Sequence, residues 1–291
     1  MTTNTKPVFV TGANGQLGRL VLSQLVRKLP ASQIVAGVRD LAKAEDIASL
    51  GVQVRLADYE NPETLQKAFE GIGRLLLISS SEVGRRAPQH RQVIDAAEKA
   101  GVDQLVYTSL LHAGTSPMQL ASEHKMTEAA LAGSKVPSVV VRNGWYTENL
   151  LMAVPTAIEL GTYYGAAGDG LISAAPRADY AAAAAAVLTS TEDLSDRVFE
   201  LAGDRGFTLA EFVAEISRQT DKPIAYQNLT EGAYTAGLIT AGLPENFAAI
   251  LADAAKYAAE NFLYDDSKQL SGLIGRPTTG FESVIQNALA V

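Results

Sequence analysis

The chain contains no cysteine. Disulfides, thiolate nucleophiles and cysteine-ligated metals are therefore excluded. Histidine is scarce, with three residues, so a catalytic metal site is not expected. Positive charge is in the minority: 24 Lys and Arg stand against 32 Asp and Glu, for a net charge of −8. No basic tract or stripe appears, and nucleic-acid binding is not expected. Apolar runs are too short to cross a bilayer, so no membrane insertion is expected. The opening Met1–Pro7 lacks the apolar core of a signal peptide. These absences imply a cytoplasmic protein. The 291 residues are 47% hydrophobic, enough for one large core or a core domain with a smaller lobe.

What is present is concentrated near the start. Val8 to Gly18 (VFVTGANGQLG) reads as a buried strand, a glycine-rich turn and a helix. Gly12 suits the tight turn, Gly15 a close approach of backbone to ligand, and Gly18 packing of helix on strand. The unpaired N–H groups at the helix start would face a pyrophosphate. An ordinary strand-to-helix turn leaves the three spaced glycines unexplained.

The first half alternates strand and helix signals. Strands are expected at residues 8–11, 34–38, 52–56, 74–79, 105–109 and 138–142. Helices are expected at 16–29, 41–50, after Asn61-Pro62-Glu63, and at 87–100 and 123–132. Such repeats imply an α/β fold with a doubly wound parallel sheet. In the second half, 161–170 reads as a glycine-rich loop, 177–188 as an alanine-rich helix and 197–201 as a further strand. Thr208–Glu211 reads as a capping box opening a helix, and 226–229 as a short strand. The expected division is a dinucleotide-binding domain over 1–150, rejoined by about 178–203, with the remainder of 151–291 forming a smaller, mostly helical substrate lobe.

The second strand ends Gly37-Val38-Arg39-Asp40. An acidic residue there binds the ribose of NAD, and an arginine accommodates the 2′-phosphate of NADP. Arg39 comes first and can grip a phosphate through two parallel bonds, so NADPH is favoured. Asp40 leaves room for some NADH use. The alternative is a surface pair of little value between Arg39 and Asp40. Asp58-Tyr59 follows the third strand, and Ser79-Ser80-Ser81 the fourth. Both suit the nucleotide edge, and both suit ordinary turns.

With these residues placed, the chain resembles the NmrA-like group of atypical short-chain dehydrogenase/reductases, and within it the bacterial quinone-reductase branch. The segments that carry the likeness are Thr11–Gly18, Leu75–His90, Tyr107–His112, Arg142–Asn149 (RNGWYTEN), Gly165–Gly170 (GAAGDG), Arg177–Ala181 and Leu273–Thr279. The resemblance implies an NADPH-dependent reductase of quinones, using neither flavin nor metal. It implies that Gly12, Asn14, Gln16, Leu17, Arg39, Ser79 and the run Asn143, Gly144, Trp145, Tyr146 line the cofactor. Asn143 would orient the nicotinamide carboxamide or the acceptor oxygen. The alternative for Asn143-Gly144 is a simple turn, and for Trp145 it is core packing.

Many relatives in the superfamily use a serine, a tyrosine and a lysine four residues after the tyrosine. Ser109 occupies the serine position. The tyrosine position falls on Leu120 and the lysine position on His124, with Lys125 out of register. A tyrosine-driven alcohol oxidation is therefore not expected. His124 is the candidate proton donor, since an ordinary imidazole titrates in the right range. It also reads as a plain helix residue. His90 and His112 are expected to be structural. Two other readings stay open: reduction of a different electron-poor acceptor (dye, carbonyl or imine), and a non-catalytic NADP-binding redox sensor. A homodimer is the default oligomer. For the cofactor, Arg39→Ala should raise the Michaelis constant for NADPH far more than that for NADH; equal changes would remove the 2′-phosphate assignment.

Overall fold

Val8, Phe9 and Val10 are buried on both faces and form β1 (Val8–Val10), an interior strand of a seven-stranded sheet. The computed structural model describes residues 6–290. Most of Met1–Pro7, judged above for signal-peptide character, lies outside that range, as does Val291.

The nucleotide half runs β1, α1 (Gln16–Leu25), β2 (Ile34–Val38), α2 (Glu45–Ala48), β3 (Gln53–Leu56), α3 (Pro62–Ala68), β4 (Arg74–Leu77), α4 (Arg86–Ala100), β5 (Gln104–Leu110), α5 (Gln119–Ala132) and β6 (Ser138–Asn143). Beyond it come α6 (Thr147–Leu151), α7 (Val154–Leu160), β7 (Thr162–Gly165), α8 (Arg177–Thr189), β8 (Val198–Leu201), α9 (Leu209–Thr220) and β9 (Ala225–Asn228). The helices α10 (Glu231–Thr240), α11 (Glu245–Ala259), α12 (Gln269–Ile274) and α13 (Phe281–Leu289) complete the order.

The main sheet is ordered β3-β2-β1-β4-β5-β6-β8. β1 pairs in parallel with β2 and β4, β2 with β3, and β4 with β5. Leu105 N–H to Pro137 O and Leu111 N–H to Asn143 O rise together along β5 and β6. Asp196 N–H to Ser138 O and Gly144 N–H to Leu201 O do the same along β6 and β8. The doubly wound parallel sheet expected from the alternation is present, and the strand at 197–201 does rejoin it. The strand order reverses between β1 and β4, which is where such sheets bind ligands beyond their carboxyl ends.

By compactness the chain falls into two units. One holds the described residues up to Ser109, with Glu123–Arg142 and Arg177–Phe199; the other holds Leu110–Ser122, Asn143–Pro176 and Glu200 onward. In the first, the alanine-rich α8 packs on α1, where small side chains let two helices approach. In the second, β7 and β9 form a parallel pair, and Phe207, Phe212 and Phe281 centre the core, with Phe207 and Phe281 ring centroids 4.3 Å apart. Thr208 and Glu211 make the reciprocal cap foreseen for α9.

Some boundaries differ from expectation. α1 stops at Leu25 because residues 26–29 tighten into a turn before Pro30, with Lys28 N–H on Leu25 O. The expected helix 41–50 is broken into a 3-10 turn, Leu41–Lys43, and α2. α5 starts at Gln119, whose N–H donates to the Asp253 carboxylate, a partner 134 residues away. Residues 162–165 of the expected loop are β7, and their pairing with β9 is likewise non-local.

Phe9 is fully buried, edge-on to Phe69 at 5.0 Å. It fills the space that Gly37 leaves: a Cβ there would lie 2.4 Å from the Phe9 ring. Phe9→Ala should lower the unfolding free energy by about 3–5 kcal/mol in urea titration; a loss under about 1 kcal/mol would mean the slot collapses without a void.

Candidate functional site

The glycine turn is built as its spacing requires. Gly12 adopts a left-handed φ of +56°. A Cβ on Gly18 would meet Gly12 O at 2.4 Å and Ala13 Cα at 2.8 Å, so this position holds α1 against the turn and admits no side chain. Gly15 precedes α1 and offers no side-chain cap, and no acidic residue occupies the first turn. The first N–H groups, from Gln16, Leu17 and Gly18, thus carry the helix's positive end without an internal anion. That is the environment a pyrophosphate requires. Asn14 is engaged from below: Arg19 donates to its backbone O and to its Oδ1, each at 3.0 Å.

The strand ends are tied by one hydroxyl ring. Ile78 N–H donates to Thr11 Oγ1 at 3.0 Å, Tyr59 OH donates to Ile78 O at 2.8 Å, and Thr11 and Tyr59 share a 2.5 Å bond. With Tyr59's proton on Ile78 O, Thr11 is the donor to Tyr59. Burial pushes the Tyr59 phenol well above its ordinary range, so it stays a neutral clamp. Its neighbour Asp58 is held in a turn, where Oδ1 accepts Glu60 N–H at 3.0 Å. The aspartate performs the turn chemistry weighed above, while the residue after it ties the strands together.

At the end of β2 the two charged neighbours divide their work. Asp40 turns back to cap the Leu41–Lys43 turn, accepting Ala42 N–H at 3.0 Å. Arg39 reaches out, its side chain 66% exposed, and pairs with Glu82 in the loop after β4 at 2.6 Å. The pair weighed above, Arg39 with Asp40, does not form; Asp40 faces Lys43 at 3.7 Å. Arg39 and then Gln89 hold the Glu82 carboxyl below the usual carboxylate range.

The Ser79–Ser81 loop is pinned from beneath. Ser79 N–H donates to Thr108 Oγ1 at 2.9 Å and Ser80 N–H to His90 Nε2 at 3.0 Å. His90 Nδ1 then donates to Thr127 Oγ1, which passes its own proton to Glu123 O. Glu123 accepts from Gly84 and Arg86 N–H, both at 2.8 Å, anchoring the start of α4. His90 is structural, as expected.

His124 lies inside the packing. It is 6% exposed, its Nδ1 lies 2.7 Å from Tyr107 OH, and burial pushes its pKa down to about 3. Charging this ring costs its desolvation, which disfavours the imidazolium form that the proton-donor role would need. Ser109, at the serine position, donates to Glu128 at 2.5 Å, and Glu128 takes a two-pronged grip from Arg142. The superfamily's serine position is here tied into an ion pair.

The remaining expected residues lie in the second unit. Asn143 and Gly144 form no turn: β6 extends through Asn143 and the chain runs on to a bridge between Tyr146 and Ala175. Asn143 is 4% exposed; its Nδ2 donates to Tyr146 OH at 3.3 Å, and its Oδ1 is buried without a partner. Trp145 packs, partly buried, on the apolar core of its unit, which is the structural reading weighed for it. His112, expected to be structural, holds a left-handed φ of +55° and faces Asp265 at 3.3 Å. The first unit thus gathers Gly12 to Gly18, Arg39, Asp58, Ser79 to Ser81 and His124; the second gathers Asn143, Gly144, Trp145 and Tyr146. Sequence reasoning set Tyr59 beside Asp58 at the nucleotide edge but missed its clamping role, and it missed the roles of Thr11 and Glu82; all three depend on partners far along the chain.

The pattern of the NAD(P)H-binding family matches residues 12–191. Quinone oxidoreductase 2 of Escherichia coli (strain K12) is 53% identical over 272 residues, covering 94% of this chain and 95% of that protein. The crystal structure of the E. coli NADPH-dependent quinone oxidoreductase complexed with NADPH superposes with a TM-score of 0.95 at 51% identity, covering 97% of this chain and 99% of that one. The Citrobacter sp. triphenylmethane reductase complexed with NADP(H) gives 0.92 at 35% identity, covering 97% and 99%.

The buried histidines make a pH statement. His90 and His124 each have folded values of about 3 against an ordinary 6.5. Their contribution to stability is complete above the unfolded value and is lost as pH falls through the folded one. The imidazole Cε1–H resonances of both should stay flat between about pH 5 and 8; a midpoint near neutrality for His124 would restore it as an imidazolium donor.

Proposed function

The chain belongs to the NAD(P)H-binding family, and from that premise we propose that it is an NADPH-dependent reductase that delivers hydride directly to quinones. The observation that carries the acceptor class is the extent of the likeness to the E. coli enzyme: it spans 94% of the chain, including the second unit where acceptor specificity would reside.

The bound dinucleotide supplies the hydride; the chain supplies position and dryness. The glycine turn and the uncapped start of α1 would hold the pyrophosphate, and Arg39 would hold the 2′-phosphate. Ser79, Ser80 and Ser81 border the path between them. Asn143 Oδ1, buried and unpartnered, is an acceptor that would suit the carboxamide NH2, and its Nδ2 donates to Tyr146 OH. A satisfied Asn143 would gain nothing from a ligand; an orphaned buried oxygen costs about 1–3 kcal/mol until one arrives. The quinone brings its own oxygen, so reduction to the hydroquinone needs one hydride and one proton. Burial disfavours His124 as a cation and Tyr107 and Tyr59 as phenolates, so that proton is not routed through them.

Two other outcomes have support. The likeness to the triphenylmethane reductase makes a cationic dye a second acceptor class. Ser109's tie to Glu128 and the missing superfamily tyrosine keep a non-catalytic sensor in view. The discriminating measurement is quinone-dependent loss of NADPH absorbance by flavin-free, metal-free protein, beside a triphenylmethane dye and with NADH. Benzoquinone turnover that prefers NADPH and falls about a hundredfold in Asn143→Ala is expected. Dye turnover alone would move the acceptor class, and tight NADPH binding with no turnover would favour the sensor.

A further inference from the structure

Glu82 is a carboxylate built into the place where a 2′-phosphate would compete for Arg39. Its Oε1 accepts from Arg39 Nη1 at 2.6 Å. Its Oε2 accepts from Gln89 Nε2 at 3.0 Å and from Arg85 Nη1 at 3.5 Å. The residue is not a wandering surface acid: its N–H is held by Ser80 Oγ at 3.1 Å, and its side chain is only 29% exposed. Gln89 is 4% exposed, and Arg85 and Gln89 are themselves anchored on Glu60. Among the described residues, Glu82 is the one carboxylate paired with Arg39.

This arrangement has two consequences for an incoming dinucleotide. A 2′-phosphate must take Arg39 away from Glu82. Glu82 need not leave, because Gln89 and Arg85 still satisfy it, so a negative charge remains beside the phosphate. A ribose that carries a 2′-hydroxyl meets the opposite situation, since a carboxylate accepts a hydroxyl proton readily.

We propose that Glu82 sets the limit on preference for NADPH over NADH, by competing with the 2′-phosphate for Arg39 and by accepting the 2′-hydroxyl of the unphosphorylated cofactor. The inference rests on the reading of Arg39 as the 2′-phosphate residue. It assigns specificity to the loop after β4 as well as to the end of β2, where such discrimination is ordinarily sought.

The test is calorimetric titration of NADP⁺ and NAD⁺ into wild type, Glu82→Gln, Glu82→Ser and Arg39→Ala, with steady-state constants for NADPH and NADH beside them. Both Glu82 variants should bind NADP⁺ about fivefold more tightly and NAD⁺ more weakly. Glutamine keeps the shape and serine removes it, so agreement between the two isolates charge, and the second remains informative if the first fails to fold. An unchanged ratio of NADP⁺ to NAD⁺ affinity, or a shift toward NAD⁺, would overturn the proposal. Arg39→Ala separates the two layers. If it weakens both dinucleotides equally, the 2′-phosphate reading itself has failed. If it is selective for NADP⁺ while the Glu82 variants do nothing, only the role of Glu82 has failed.

Discussion

The hydroxyl of Thr11 is the point on which the carboxyl edge of the sheet turns. It accepts from the backbone of Ile78 and donates to Tyr59, which in turn bonds Ile78 O. Three segments, the ends of β1 and β4 and the loop after β3, are thereby held at fixed spacing. Gly12 begins its left-handed turn directly after this clamp. Gly18 can then approach Gly12 O more closely than any side chain would permit. Neutral hydroxyls suit this post: they satisfy one another in a buried place where a charge would cost several kcal/mol. The helix start above them presents its N–H groups to a ligand without a side-chain cap.

Beneath the serine loop the same economy recurs. His90 and His124 are ring-shaped polar spacers, kept neutral by burial and satisfied by Ser80, Thr127 and Tyr107. Glu123 supplies the negative end that the first turn of α4 requires. Both rings beneath the serine loop are thus neutral and hydrogen-bonded, and the carboxylate among them is taken up by backbone N–H groups. Hydride transfer to an electron-poor acceptor is compatible with this arrangement, because the protein has no need to protonate a poor leaving group or to activate a hydroxyl. Alcohol oxidation would need a phenolate, and the buried phenols here are held far from ionising.

Charge is instead placed at the rim, where Arg39, Glu82, Arg85 and Glu60 form an exposed lattice. Exposed pairs contribute little to folding, about 0–1 kcal/mol each. Their value lies in selection among ligands, since each must be broken or kept according to what the ligand carries.

Much of this was legible in the amino-acid order. A buried β1, three spaced glycines and alternating periodicities determine a parallel sheet with a helix start at its switch point, because local conformation and burial demand it. Arg39 after β2 and the absence of the superfamily's tyrosine and lysine were legible for the same reason: they depend on position within an element. Other features were decided only in three dimensions. Arg39 meeting Glu82, His124 buried against Tyr107 and Asn143 extending a strand where Asn-Gly suggests a turn all depend on groups distant in the chain. β7 pairing with β9, some sixty residues on, belongs with them. Periodicity reports which face of an element is buried; it carries no record of which far segment arrives to bury it, and that arrival sets the hydrogen bonds, the dielectric and so the chemistry of each side chain.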